Sequence, residues 1–269
     1  MRISACQMIS GTDPEQNVLE ATNLIAASAE SGAELVVLPE HFALLDKPER
    51  QLSIAETFED GPIQETIRVA AARHHLWIVA GSIPIKSDDN RLCTNSSIVF
   101  DPSGNIVARY DRIHLFRFQN QNECYDERFH VQPGQQPVHF KITDWDGETL
   151  TVGLSLGYDL RFPELFRQLN QPDLIVLPAT FTAMTGRAHW ATLLAARAIE
   201  NQCFVVTSAQ GGQHECGRTT WGHSKIIDPW GSTLSELAQG KGIVIGNVDL
   251  AQLRAIRNTL PALTSRTLY

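Results

Sequence analysis

The chain has 269 residues, of which 43% are hydrophobic and 19% charged, the balance of a globular protein with a buried core and not of a disordered or low-complexity one. A net charge of -8 without a basic cluster argues against a nucleic-acid surface, so any ligand is expected to be small. No stretch approaches the roughly 18 apolar residues of a membrane span, which predicts a cytoplasmic protein with no membrane contact.

The start, Met1-Arg2-Ile3-Ser4-Ala5-Cys6-Gln7, alternates like a strand and carries no secretory apolar region. Asp13-Pro14-Glu15-Gln16 then has the residues of a helix start: a cap, proline at the first helical position and Gln three residues on. Val18, Ala21, Ile25 and Ala29 keep helical spacing up to Gly32. Leu35-Val36-Val37-Leu38 is an unbroken apolar run, the pattern of a strand buried on both faces, and it ends in Pro39-Glu40. After a longer connection over 42–60, Gly61-Pro62 opens a second helix, and Trp77-Ile78-Val79-Ala80-Gly81 reads as the next buried strand. Ser97–Phe100 and Ile106–Tyr110, joined by Asp101-Pro102-Ser103-Gly104-Asn105, predict an antiparallel hairpin.

The second half repeats this grammar. Leu150 to Leu156 is a strand-forming run that meets Gly157, a polar turn and then Pro163 at a helix start. Asp173 to Ala179 echoes Glu34 to Glu40, and Asp228-Pro229-Trp230-Gly231 echoes the first hairpin turn. From Arg187 to Gln202, Trp190, Leu193, Leu194, Arg197, Ala198 and Asn201 share one helical face, expected to pack on a sheet. Two β-α-β units, each closing in a hairpin, imply two similar mixed sheets that need helices on one face and each other on the second. The expectation is one α/β domain over 1–269, a four-layer αββα sandwich. Between the halves, 111–136 is polar and aperiodic, too long for an idle connection inside such a fold.

The five cysteines (Cys6, Cys93, Cys124, Cys203 and Cys216) form no metal-binding spacing, and their odd number speaks against a disulfide framework. No metal or cofactor site is expected, and Cys6, Cys93 and Cys203 read as small core residues.

The turn after Leu156, Gly157-Tyr158-Asp159-Leu160-Arg161-Phe162-Pro163-Glu164, resembles the signature of the nitrilase superfamily (carbon-nitrogen hydrolases), Cys-Tyr-Asp-x-Arg-Phe-Pro-Glu. Gly157 falls on the position of the nucleophilic cysteine. The resemblance runs from Gln7 through Thr259-Leu260-Pro261. Its later portions, Phe181-Thr182 with Thr185-Gly186, Arg197 to Cys203 and Gly222-His223-Ser224, resemble the branch containing deaminated glutathione amidase, which acts on small ω-amido acids. That superfamily has the αββα fold, and its members associate at least as homodimers.

Amide hydrolysis of that kind uses a thiolate nucleophile, a carboxylate base, a cation and a backbone amide for the oxyanion. By the resemblance, Glu40 falls where the base falls, and Arg112, in Tyr110-Asp111-Arg112-Ile113-His114-Leu115-Phe116, falls where the family has lysine. A guanidinium is wider than an ammonium and does not replace it readily. Glu127 matches the second glutamate, with Glu123 and Asp126 as neighbouring alternatives. Tyr158 would lend its amide, and Phe181 would line the substrate pocket. Asp159 and Arg161 are expected to brace the turn as an ion pair, and His114 to be a structural hydrogen-bonding group. Ser155, two residues before Gly157 on the same strand face, should lie about 6.5 Å deeper. The reading is an impaired amidase that keeps a pocket for a small amide or carboxylate metabolite. The alternative is an active one using Cys124, or water activated by Glu40.

Overall fold

In a computed structural model the structure describes residues 1–119 and 124–267; of Cys124 and Tyr125 only the backbone is described. The first half runs β1 (Arg2–Gln7), α1 (Pro14–Glu30), β2 (Leu35–Val37), α2 (Pro48–Ser53), α3 (Pro62–His74), β3 (Trp77–Val79), β4 (Ile83–Lys86), β5 (Cys93–Phe100) and β6 (Ile106–Asp111). A short antiparallel ribbon, β7 (Arg117–Gln119) with β8 (Cys124–Asp126), follows. The second half runs β9 (His139–Thr143), β10 (Thr149–Leu154), α4 (Pro163–Arg167), β11 (Leu174–Ala179), α5 (Ala183–Asn201), β12 (Phe204–Ala209), β13 (Ser224–Ile227), β14 (Thr233–Leu237), β15 (Gly242–Asn247) and α6 (Leu250–Thr259).

The helix ends follow the sequence. Asp13 accepts hydrogen bonds from the Glu15 and Gln16 amides, and Pro14 occupies the first turn of α1, where its missing N–H would have had no partner. Gly32 takes a left-handed φ of 74° just beyond the helix, a conformation glycine adopts at no steric cost.

Two mixed sheets result. The first has the order β15-β1-β2-β3-β5-β4, with β6 also on β5, and the second β14-β13-β12-β11-β10-β9. β1, β2 and β3 are parallel, as are β10, β11 and β12, and antiparallel strands flank each trio. β2 shows why its run is apolar throughout. Leu35 and Val37 join the core between the sheets, whereas Val36 and Leu38 join the core beneath α1 and α3 with Ile25 and Ile67. From the second sheet Leu150, Val152, Leu174 and Val206 enter the same core as Leu35 and Val37. α5 turns Trp190, Leu194 and Ala198 onto the other face of that sheet. The layers are therefore helix, sheet, sheet, helix, as the two repeated units require. Cys6, Cys93 and Cys203 are buried core residues. No helix of the described residues is long and apolar enough to cross a membrane.

Among the described residues one isolated backbone bridge, Met8 with Gln210, links the two sheets beyond their own ladders. Close to it, at the carboxyl ends of β2 and β10, lie the segments on which the candidate site is built.

Candidate active site

Glu40 leaves the end of β2 on Pro39, and Arg112 leaves the end of β6. Glu127 opens a 3-10 turn over Glu127–Phe129, and Gly157 opens another over Gly157–Arg161 after β10. Four separate segments thus bring Glu40, Arg112, Glu127 and Gly157 together. Arg112 Nη1 donates to Glu40 Oε1 at 2.7 Å, and Nη2 donates to Glu127 Oε2. Asn95 Nδ2 donates to the same Glu40 oxygen at 3.0 Å, and the Phe116 amide donates to Glu127 Oε2 at 2.7 Å. All three charged groups are buried, so each depends on the others.

Their protonation follows from those partners. Burial raises the Glu40 carboxyl above its ordinary range, more than Arg112 lowers it. Burial also acts on Glu127, but there the Arg112 guanidinium and the Phe116 amide prevail and hold it below the ordinary range. Arg112 stays charged: burial opposes its charge, and Glu127 and Glu40 more than compensate. His41, at φ 56°, has Nε2 4.0 Å from Glu40 Oε1. Burial and the nearby guanidinium push its pKa down to about 3, so it is neutral.

Gly157 has a φ of 41°, a left-handed conformation that side chains rarely adopt. A Cβ placed there would lie 2.9 Å from Glu40 Cδ and Oε1 and closer still to Oε2. The Glu40 carboxylate therefore fills the space directly beside Gly157. Ser155 is fully buried and donates its hydroxyl to the Val176 carbonyl at 3.0 Å, packed beneath the turn as its register on β10 predicts.

The expected Asp159–Arg161 ion pair is not what holds the turn. Asp159 accepts from the Tyr110 hydroxyl at 2.7 Å and from the amides of His114 and Leu156, and it shares a 2.7 Å hydrogen bond with His114 Nδ1. Arg161 instead lies over the rings of Tyr158 and Phe181 and reaches His189 Nδ1 at 3.2 Å. Proximity in sequence suggested the pair. The 3-10 turn sends Asp159 inward to four hydrogen-bonding groups and Arg161 outward to aromatic faces. His114 is the structural hydrogen-bonding group expected, and its ring also stacks on Phe162 at 3.8 Å.

Of the three acidic neighbours in the connection, Glu127 is the one buried against Arg112. Asp126 pairs with Arg117 and Arg128, and Glu123 lies outside the described residues, as does the side chain of Cys124. A cavity of about 820 Å3 opens above the cluster, its walls including Glu40, Glu127, Tyr158, Phe181, Arg161 and Arg218. This size suits a small organic ligand.

Sequence reasoning missed the supports of Glu40. Thr180 Oγ1 and Gln210 Nε2 donate to its backbone carbonyl at 3.1 and 3.2 Å, and Ser82 Oγ accepts the next amide, that of His41, at 2.9 Å. Asn95 carried a legible signal: in the β5–β6 hairpin it lies one register step beyond the Ser96–Asp111 pair and therefore opposite Arg112. The others come from distant loops that only the docked sheets bring near.

A four-layer sandwich with buried carboxylates and a cation at the carboxyl ends of its central strands, beneath a solvent-reaching cavity, defines the class of α/β proteins that handle small ligands at a sheet edge. Residues 2–258 match the model of the carbon-nitrogen hydrolase family, and the chain belongs to that family. It is 36% identical to a deaminated glutathione amidase of Yersinia enterocolitica over 266 residues, 97% of this chain and 91% of the relative. It is 37% identical to another of that name from Synechocystis, over 98% of this chain and 97% of the relative. The crystal structure of the C. elegans NitFhit protein superimposes with a TM-score of 0.90 at 33% identity, over 99% of this chain and 65% of that longer one.

Proposed function

We propose that this carbon-nitrogen hydrolase, which resembles deaminated glutathione amidases, binds a small amide or carboxylate metabolite in its cavity without the family's covalent step. One observation carries the reading: the Glu40 carboxylate, held by Arg112 and Asn95, lies where a side chain on residue 157 would begin. Acyl transfer needs a nucleophile at that point, and Gly157 has none to acylate. The cation beside it is engaged as well, since both terminal nitrogens of Arg112 donate to the carboxylates of Glu40 and Glu127. Tyr158, Phe181 and Arg161 on the cavity wall supply an apolar body and a positive charge, a combination suited to a short acid or amide.

The experiment combines calorimetry, intact mass and ammonia release, with glutaramate as the probe. The expected result is saturable binding, no mass increase and no ammonia above the buffer rate. A covalent adduct on the protein, or ammonia release that saturates with glutaramate, would overturn the proposal.

A further inference from the structure

The two oxygens of Glu40 are not equivalent. Oε1 accepts both Arg112 Nη1 and Asn95 Nδ2. Oε2 points at Gly157 and receives no hydrogen bond among the described residues. Glu127 likewise gathers its hydrogen bonds on one oxygen, Oε2, which accepts both Arg112 and the Phe116 amide, and these hold its carboxyl below the ordinary range, whereas burial raises that of Glu40. A proton arriving at this cluster can therefore be seated on Glu40 Oε2, which faces Gly157, without the loss of a hydrogen bond among the described residues.

We infer that the cavity takes up a carboxylate ligand together with a proton, which settles on Oε2 of Glu40 and is donated to the ligand. This rests on the binding reading above and adds what distinguishes an acid from an amide at the deep end of the cavity. Arg161 and Arg218 on the walls attract an anion, but at the floor it meets Glu40 and Glu127 sharing one guanidinium. Three carboxylates around a single buried cation do not all stay ionised. The other groups facing Glu40 do not relieve them. His41 is neutral, and Arg218 adds to what keeps it so. Asp159, behind the turn, is a further negative charge whose hydrogen bonds go to Tyr110, His114 and the Leu156 amide. Burial already favours the protonated form of Glu40. The balance is simple: ligand carboxylate, Glu40 carboxylate and a proton from the buffer become a carboxylic acid hydrogen-bonded to a carboxylate. A ligand amide presents a neutral group there and calls for no proton.

Glutarate and its monoamide glutaramate test this by titration calorimetry from about pH 5 to about 9, each in buffers of different ionisation enthalpy. Glutarate should take up close to one proton per molecule bound, and its affinity should fall by up to about tenfold per pH unit in the alkaline part of the range. Glutaramate, with its one carboxylate toward the wall arginines and its amide at the floor, should show neither effect, and Glu40→Gln should remove both for glutarate. Equal pH dependence of the two probes, or uptake that persists in Glu40→Gln, would overturn the inference while leaving the binding reading in place. Failure of both probes to bind would remove that reading and this inference with it.

Discussion

Replacing Arg112 with leucine tests the buried cluster most directly. Arg112 and Glu40 have side chains only 3% exposed and Glu127 9%, so the substitution strands two carboxylates away from water. Removing one member of a buried ion pair costs about 3–5 kcal/mol, chiefly through the charge left behind. Two partners sharing one cation place the variant toward the upper part of that range near neutral pH. The sign with pH follows from the carboxyls. In the native protein Glu127 is held below its ordinary value, so it stabilises above its unfolded pKa of about 4.3 and loses that contribution as pH falls through its folded pKa. Without Arg112, burial is opposed mainly by the Asn95 hydrogen bond at Glu40 and the Phe116 amide at Glu127, and both folded carboxyls should titrate above the unfolded value. The deficit should therefore grow as pH rises from about 4.3, by about 1.4 kcal/mol per pH unit for each carboxyl that stays protonated in the folded variant but is ionised in the native protein, Glu127 first. Urea denaturation of both proteins at about pH 5 and about pH 7.5 measures it. Adding Glu40→Gln should recover part of the loss at the higher pH only. A deficit under about 1 kcal/mol that does not change with pH would refute the argument, since it is the size of a solvated surface pair.

Gly157→Cys alone should release no ammonia from glutaramate and should lower stability by about 1–2 kcal/mol, because a side chain at that left-handed φ is strained and its Cβ displaces the Glu40 carboxylate. Combined with Arg112→Lys, which loosens the clamp on Glu40, it should exceed the product of the single effects in the same assay. Asp159→Asn should destabilise by roughly 2–3 kcal/mol, read by denaturation, because the charged acceptor of Tyr110, His114 and two amides is lost. Ile199 on α5 and Trp230 in the turn between β13 and β14 are both exposed, and Gly231, next to Trp230, lies against Ile199. Light scattering should give a dimer of about 60 kDa, twice 29.8 kDa, with Ile199→Asp shifting it toward the monomer.

The fold was legible because its signals are local. Asp13-Pro14 starts a helix wherever it stands, and a run such as Leu35–Leu38 fits only a strand covered on both faces. The pairing of the two halves followed from repetition, since neither sheet can leave a face bare. The candidate site was legible only through resemblance. Nothing local marks Glu40 as a partner of Arg112, 72 residues later, and the clearest misreading, Asp159 with Arg161, came from trusting sequence proximity across a turn. Asp159 lies inside because Tyr110 and His114 reach it from the other sheet's side of the connection, information a single stretch of chain does not contain.

The bridge between Met8 and Gln210, with Gln210 and Thr180 gripping the Glu40 carbonyl, has a consequence for dividing the molecule. Cut within 120–123, the first fragment would keep Glu40, Asn95 and Arg112, and the second Glu127, Gly157, Tyr158 and Phe181. Neither piece holds a guanidinium shared between two carboxylates, and the first lacks the second-sheet hydroxyl and amide, those of Thr180 and Gln210, that fix the Glu40 backbone. The binding floor would come into being only as the fragments reassemble, which makes recovery of ligand binding a direct reporter of sheet-to-sheet docking, independent of how much secondary structure each fragment forms alone.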